Sequence, residues 1–183
     1  LRPGEVVMVA GPVASGKSSL LEALLRELDV VRGSLATAPD CDVVYAPQRP
    51  WIFNGSIRHN VTAGLALDND VYRRVLAACD LVAEFDDDAE LGERGINVSG
   101  GQKARISLAR AAYAALTSKR PATVALLDDP VAALDPRTSQ HVIEKCVLGA
   151  LRSSGRVGVI LTTHSRRFLQ LADRVLVLDA GGA

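Results

Sequence analysis

The sequence has no long hydrophobic run, few cysteines and no net charge. No stretch of the 183 residues approaches the roughly 18 uninterrupted apolar residues that a membrane-spanning helix needs. Cys41, Cys79 and Cys146 are far apart and lack metal-binding spacing, which favours buried thiols in a reducing compartment. Basic and acidic residues number 21 each, and this balance argues against a nucleic-acid partner.

The size and composition are those of one globular domain. Hydrophobic residues make up 48% and charged residues 23%, close to ordinary globular usage, so a disordered chain is not expected. The sequence begins with Leu1 rather than Met and stops at Ala183 directly after an apolar run. We therefore expect residues 1–183 to be a single domain within a longer protein.

Short apolar runs alternate with segments of helical periodicity, which predicts an α/β fold with a mostly parallel sheet. The predicted strands are residues 5–10, 42–45, 123–127, 157–161 and 174–178. The predicted helices are residues 18–28, 70–79, 104–116 and 139–151. Because residues 57–116 have helical patterns but no convincing strand, we expect them to form a helical subdomain inserted into an α/β core of residues 1–56 and 117–183.

A glycine-rich motif follows the first predicted strand and opens the first predicted helix. The segment GPVASGKS matches G-x-x-x-x-G-K-[ST] in the context that indicates a P-loop, and hence a P-loop NTPase fold. Its backbone N–H groups and the helix N-terminus suit a nucleotide's phosphates. Lys17 is expected to reach the β- and γ-phosphates, and the Ser18 hydroxyl to bind Mg²⁺. The predicted ATP-binding residues here are Gly11, Pro12, Val13, Ala14, Ser15, Gly16, Lys17, Ser18 and Ser19.

A P-loop ATPase also needs an acid at the end of a core strand, and Asp128 follows the apolar strand 123–127. It is expected to hold Mg²⁺ directly or through water. The acidic run at residues 84–90 is, on charge patterning, interpreted as a solvated loop rather than a metal site.

The segment VSGGQ at residues 98–102 resembles the signature motif of ABC ATPases, LSGGQ, with Val98 in place of Leu. Ser99 is expected to cap the helix that follows, so that helix N–H groups point at an anion. The resemblance implies that Ser99, Gly100, Gly101 and Gln102 contact the γ-phosphate held by the P-loop of a second such domain.

Three further positions resemble motifs of the same family. Gln48 resembles the Q-loop glutamine, which touches Mg²⁺ and the attacking water. The segment AALD ending at Asp135 resembles the D-loop, with Ala132 in place of Ser. His164 follows the strand 157–161 and resembles the switch histidine at the γ-phosphate; a lone histidine is more often structural, but its position at a strand end favours function.

Two longer runs resemble the C subfamily of ABC transporters, which includes the multidrug-resistance-associated proteins. These runs are PWIFNGSI at residues 50–57 and LGERGINVSGGQK at residues 91–103. The resemblance implies contacts with transmembrane domains around Trp51 and around Glu93–Gly95. It also implies a location on the cytoplasmic face of a membrane, as part of an integral membrane protein.

One departure concerns catalysis. The family's catalytic glutamate, which polarises the attacking water, is replaced by Asp129. Aspartate is one methylene shorter, and a misplacement of about 1 Å can cost about a hundredfold in rate. Asp128 followed by Asp129 is typical of first-half domains in the C subfamily. We therefore expect intact ATP binding, slow hydrolysis at this site, and head-to-tail pairing with a second ATPase domain of the same polypeptide.

Three other functions fit parts of the sequence. ATPases of chromosome or repair machinery insert coiled coils between the Q-loop and the signature, and Gln48 and Ser99 are too close for that. Neutral charge and the Trp51 and Glu93 segments argue against a ribosomal ABC factor. A domain that gates a channel or receptor with little hydrolysis stays open, because loss of the general base leaves binding untouched.

Overall fold

Parallel strands form the centre of the computed structural model, which describes residues 1–92 and 97–179. In chain order the strands are β1 (Val6–Ala10), β2 (Cys41–Ala46), β3 (Gly55–Ser56), β4 (Glu90–Leu91), β5 (Ala122–Asp128), β6 (Val157–Thr162) and β7 (Arg174–Val177). The main sheet has the order β2-β5-β6-β1-β7, with all neighbours parallel. The α/β prediction is therefore confirmed.

Helices connect these strands and cover the sheet. They are α1 (Lys17–Leu24), α2 (Ile57–Thr62), α3 (Asn69–Ala78), α4 (Gly100–Thr117), α5 (Pro136–Val142) and α6 (Arg166–Leu169). The α5 helix continues as a wider π-type helix, Ile143–Leu151, and a 3₁₀ turn, Arg152–Ser154. In the described ranges, none of the helices is long and apolar enough to cross a bilayer.

The predicted strands of the main sheet agree with the structure to within two residues at each end, but the helices differ more. The α1 helix ends at Leu24 rather than at residue 28, because Arg26 adopts a left-handed conformation with φ of 64° that breaks the helical path. The α4 helix begins at Gly100 rather than at residue 104, because Ser99 caps it directly. Asp135 and Pro136 likewise start α5 three residues before the predicted residue 139.

The segment predicted to be purely helical contains one short strand. Glu90–Leu91 pairs antiparallel with Gly55–Ser56, and two residues are too few to give a periodic signal. The α4 helix packs on β2 and β5, and a single hydrophobic cluster runs from the sheet through α2, α3 and α4. A helical subdomain bounded at residues 57 and 116 therefore stays a prediction.

The acidic run at residues 84–90 is a loop whose Glu84, Asp86, Asp88 and Glu90 are exposed, as the sequence predicted, but one of its acids is anchored. Asp87 has only 13% of its side chain exposed and pairs with Arg58 and Arg73. The Tyr72 hydroxyl also donates to Asp87, at 3.3 Å. The loop is thus held against α2 and α3. Within the described residues, no group of histidine, cysteine and acidic side chains is arranged to hold a metal ion.

The cysteines follow the prediction at two of three positions. Cys79 and Cys146 are buried free thiols, whereas Cys41 is half-buried. A hydrogen bond with Cys146, together with burial, raises the pKa of Cys79, so this thiol is neutral at physiological pH.

A buried arginine on α4 ties the segment after Gln48 to the helical part of the fold. Arg110 donates to the backbone oxygens of Asn60, at 2.7 Å, and Trp51, at 3.1 Å. Its guanidinium also lies 3.7 Å from the centre of the Trp51 ring. Burial lowers the pKa of Arg110 to about 10, which still leaves it charged at neutral pH. Asn60, itself fully buried, donates to the carbonyl of Phe53 at 3.0 Å and so completes the network.

Replacing Arg110 should destabilise the fold. Arg110→Ala leaves buried carbonyls without donors, so we expect a loss of about 2–4 kcal/mol in the free energy of unfolding. Arg74→Ala is the control, since Arg74 is exposed and a surface change of this kind stays within about 0.5 kcal/mol. Urea unfolding monitored by circular dichroism measures both. Equal midpoints for the two variants would contradict the role given to Arg110.

Candidate nucleotide-binding site

The P-loop connects the end of β1 to the start of α1. Gly16 stands at the helix N-cap with φ of 88°, a left-handed conformation that glycine adopts without strain. A Cβ on Gly11 would lie 2.4 Å from the carbonyl oxygen of Leu178, so only glycine fits there. These two positions make the chain turn sharply and point the first N–H groups of α1 out of the loop, where they have no acceptor within the helix.

Lys17 spans this loop. It is almost fully buried, and its ammonium donates to the carbonyl oxygens of Gly11, at 2.9 Å, and Pro12, at 2.7 Å. The hydroxyl of Ser15 is buried without a hydrogen-bond partner. A nearly buried cation that lines the cleft is a group that an anionic ligand satisfies.

Asp128 lies at the carboxyl end of β5, opposite Thr162 on β6. It is 4% exposed, and its Oδ1 accepts a hydrogen bond of 2.7 Å from the Thr162 hydroxyl. Burial, aided by the Asp128 charge, raises the pKa of the neighbouring Tyr45 to about 12. Tyr45 therefore stays protonated.

Asp129 follows in a left-handed conformation, with φ of 44°. Its N–H donates to the Thr162 hydroxyl oxygen at 2.8 Å, which holds the turn against β6. Its Oδ2 lies 3.8 Å from Nε2 of His164. Burial raises the pKa of Asp129 and the charge of Asp128 adds to this, while His164 and Lys17 oppose it.

One cleft of about 370 Å³ brings these side chains together. The predicted site residues that line it are Val13, Ala14, Gly16, Lys17, Ser18, Ser19, Gln48, Asp128, Asp129 and His164. They come from four different loops, each following the carboxyl end of a parallel strand, where ligands of open α/β sheets bind. Gly11, Pro12 and Ser15 shape the P-loop without lining the cleft.

Sequence reasoning missed Thr162. Its hydroxyl donates to Asp128 and accepts from the Asp129 N–H, so it fixes both carboxylates, and it also lines the cleft. The only signal was its position at the end of a strand, two residues before His164. Threonine is so common in strands that this position did not stand out.

The residues present suit a nucleotide with Mg²⁺. A Cβ on Gly16 would meet no atom within 4 Å, so the space in front of the helix N-terminus is open to a phosphate group. A hydroxyl from Ser18, an amide oxygen from Gln48 and a carboxylate from Asp128 are all hard oxygen ligands of the kind that Mg²⁺ prefers. The three line the same cleft.

The predicted signature lies elsewhere on the molecule. Ser99 caps α4 in a capping box: its Oγ accepts from the Gln102 N–H at 3.2 Å, and Gln102 Oε1 accepts from the Ser99 N–H at 2.8 Å. A Cβ on Gly101 would lie 3.2 Å from the carbonyl of Ala133, so α4 approaches the 132–135 loop closely. In the described part of the chain, the lining of the cleft includes none of residues 99–102.

A second groove adjoins the cleft and shares Asp129 and His164 with it. This groove, of about 480 Å³, runs between the 132–135 loop and α6 and includes Ala132 and Phe168.

Trp51 is 52% exposed and stacks on Arg110, which leaves an aromatic face on the surface. The segment Glu93–Gly95, the other predicted contact, lies outside the described residues.

The family model described as ABC transporter matches residues 1–132, which contain the P-loop, Gln48, the 98–102 motif and both aspartates.

Similar proteins cover nearly the whole chain. It is 41% identical to the probable multidrug resistance-associated protein lethal(2)03659 of Drosophila melanogaster and to ATP-binding cassette sub-family C member 2 of Mus musculus, over 99% of the chain in both cases. It is 40% identical to ABC transporter C family member 9 of Arabidopsis thaliana, also over 99%. The chain spans only 13%, 12% and 12% of these relatives' lengths, respectively. The chain belongs to the ABC transporter family, with similarity to its C subfamily from end to end.

Proposed function

We propose that the chain is an ATP-binding and ATP-hydrolysing domain that powers transport of a substrate across a membrane. The observation that carries this proposal is the single cleft in which the P-loop, Gln48, both aspartates and His164 meet. The similarity to much longer C-subfamily proteins supports a place within a transporter. On this proposal, the domain lies on the cytoplasmic face of a membrane as part of an integral membrane protein.

The P-loop holds the triphosphate. Lys17 is almost fully buried and exchanges its contacts with the Gly11 and Pro12 carbonyls for phosphate oxygens, which are stronger acceptors because they are charged. The N–H groups of Gly16 and of the first turn of α1 donate to the same phosphates. Mg²⁺ at Ser18, Gln48 and Asp128 supplies positive charge that offsets the charge on the phosphates.

Hydrolysis at this site is slow, and Asp129 is the reason. A general base must come within hydrogen-bond reach of the attacking water, and aspartate is one methylene shorter than the family's glutamate. Its raised pKa makes it a stronger base than an ordinary aspartate, but basicity does not compensate for lost reach. His164, whose Nε2 lies 3.8 Å from Oδ2 of Asp129, contacts the γ-phosphate in this proposal.

Two such domains pair head to tail. The capped N-terminus of α4 presents Ser99, Gly100, Gly101 and Gln102 to the nucleotide of the partner domain, while the groove beside Asp129 and His164 accepts the partner. This chain is the first of the two domains in one polypeptide. Its own site mainly holds ATP, and its signature completes the site that hydrolyses ATP rapidly. Transmembrane domains contact the exposed face of Trp51 and the segment Glu93–Gly95.

A second candidate is a nucleotide-gated regulatory or channel domain with little hydrolysis. Asp129 in the place of the catalytic glutamate favours it, because the groups that bind nucleotide are intact. The two functions differ in turnover. A transporter couples each transport cycle to ATP hydrolysis at the partner's site. A gate needs only ATP binding at the two nucleotide sites.

Lys17→Ala should weaken ATP binding by about tenfold or more, because a hydrogen bond to a charged group contributes about 1.5–3 kcal/mol. Titration of the full protein with a fluorescent ATP analogue and Mg²⁺ measures the change, with the partner domain's own P-loop lysine mutated. Lys119→Ala is the control, since Lys119 is an exposed lysine outside the cleft. If both variants bind as tightly as the wild type, the nucleotide assignment is wrong.

Ser99→Arg should leave ATP binding at this domain's own P-loop nearly unchanged, because Ser99 lies outside the cleft. In the full transporter it should abolish most steady-state ATP hydrolysis, since a bulky cation replaces the group that faces the partner's nucleotide. The matched control is Ser153→Arg, at an exposed serine of the 3₁₀ turn after the π-type helix. Loss of nucleotide binding at this domain alone would overturn head-to-tail pairing.

Asp129→Glu should raise the single-turnover rate of this site by about tenfold or more, as expected for a correctly placed general base. The assay uses the full two-domain protein with the partner's catalytic glutamate removed, so that only this site is measured. No gain would mean that another group limits the site, with the partner's signature and then Ala132 examined next. A fast wild-type rate would instead establish Asp129 as a working base.

A further inference from the structure

The signature glutamine is held at both ends of its side-chain amide. Gln102 Oε1 accepts from the Ser99 N–H at 2.8 Å, and Gln102 Nε2 donates to Glu84 Oε2 at 3.0 Å. Glu84 lies in the acidic loop after α3, 18 residues before Gln102. The loop therefore reaches the N-terminus of α4 through one carboxylate.

A buried arginine fixes that carboxylate in turn. Arg105 donates to Glu84 Oε1 at 2.7 Å and to Oε2 at 2.8 Å, and it also donates to the backbone carbonyl of Asp80. Arg105 is 6% exposed, whereas the Glu84 side chain is 34% exposed. One nitrogen of the buried guanidinium, Nη2, contacts both carboxylate oxygens of Glu84 in a charge-assisted interaction, so Glu84 has little freedom to rotate and offers Gln102 a stationary acceptor.

We propose that Glu84 is a positioning residue for the signature, acting through Gln102 on Ser99. This inference rests on the proposed function, in which Ser99 meets the partner's nucleotide. Arg105 contacts Glu84, and Glu84 contacts the Gln102 side chain. The Gln102 side chain in turn accepts from the Ser99 N–H, while the Gln102 backbone N–H donates to the Ser99 hydroxyl.

Glu84 can affect Ser99 because a glutamine side chain without a fixed hydrogen-bond partner rotates among several rotamers. Without Glu84, the Gln102 amide loses one of its two side-chain partners and samples other rotamers in solvent. The Ser99 N–H is then left without its acceptor for part of the time, and the turn that aims the Ser99 hydroxyl loosens. A small displacement of a group that contacts the reacting phosphate lowers the rate of turnover more than it lowers ATP binding.

Glu84→Ala in the full transporter tests this. We expect steady-state ATP hydrolysis to fall by about tenfold or more. The affinity of this domain's own P-loop for ATP should stay unchanged, because Glu84 is not part of the cleft. Asp86→Ala is the matched control, since Asp86 is an exposed acid of the same loop. If Glu84→Ala turns over as fast as Asp86→Ala, the inference is wrong.

A double-mutant cycle separates positioning from a purely structural role. If Glu84 acts through Gln102, then Glu84→Ala should cause no further loss of turnover in a Gln102→Ala background. Losses that multiply would show that Glu84 acts independently of Gln102, most directly by anchoring Arg105, and would overturn the proposal. Where Glu84→Ala fails to fold, Glu84→Gln takes its place in the cycle, because it keeps the volume of the side chain.

Ser99→Arg in the same assay distinguishes this inference from the proposed function. If Ser99→Arg abolishes turnover and Glu84→Ala does not affect it, only the role of Glu84 is wrong. If neither variant lowers turnover, the signature does not act on a partner's nucleotide, and the proposed pairing fails together with the inference.

Discussion

Parallel hydrogen bonding among β1, β5 and β6 is the constraint on which the site depends. The register pairs Asp128 with Thr162, and Thr162 in turn with Val9, so the ends of these strands are level. The P-loop, the two aspartates and His164 therefore leave the sheet at one edge. A shift of one residue would turn Asp128 to the other face of the sheet and remove its bond with Thr162. The buried strands are held in register by their apolar side chains, so the geometry of a polar site is set by a hydrophobic core.

The α4 helix joins that sheet to two other surfaces. Its N-terminus carries the capping box of Ser99 and Gln102, its body packs on β2 and β5, and Arg110 holds the segment around Trp51. The segment that follows Gln48 and the signature are thus attached to the same rigid element. On the proposed function, a movement imposed at Trp51 would be passed through Arg110 to α4, whose N-terminus faces the partner domain.

On the proposed function, the two ATP sites of a paired transporter would hydrolyse ATP at different rates because Asp129 is one methylene shorter than glutamate. The cleft contains Lys17, Ser18, Gln48 and Asp128, which are expected to hold the nucleotide and Mg²⁺, and Thr162 fixes both Asp128 and Asp129. On the proposed function, the difference would therefore lie in the reach of Asp129 rather than in disorder of the site. On the proposed function, the signature works on the other domain's nucleotide, so a domain with a slow site of its own would still contribute fully to a fast one. The cleft and the signature are on separate surfaces of the chain, so a substitution in one can leave the other unchanged.

The local patterns of the sequence determined much of this. Apolar runs located the strands of the main sheet, and the motif with glycines at positions 11 and 16 predicted the sharp turn between β1 and α1. These signals are local, because strand periodicity and glycine backbone preferences depend on neighbouring residues. The helix ends were predicted less accurately than the strands. The α1 helix ends early because Arg26 is left-handed, although the apolar pattern continues to Leu28. Ten of the site residues named from the sequence line one cleft, whereas Gly11, Pro12, Ser15 and residues 99–102 do not, and the roles of all of them stay predictions.

Only the tertiary structure decided which polar side chains act on one another. Thr162 contacts Asp128 across 34 residues, Arg110 contacts Asn60 across 50, and Glu84 contacts Gln102 across 18. None of these pairs has a sequence signature, because hydrogen-bond partners are chosen by the packing of whole elements and not by spacing along the chain. The acidic run shows the same limit: its charge pattern predicted an exposed loop, but not that Arg58, Arg73 and Arg105, on α2, α3 and α4, pair with Asp87 and Glu84.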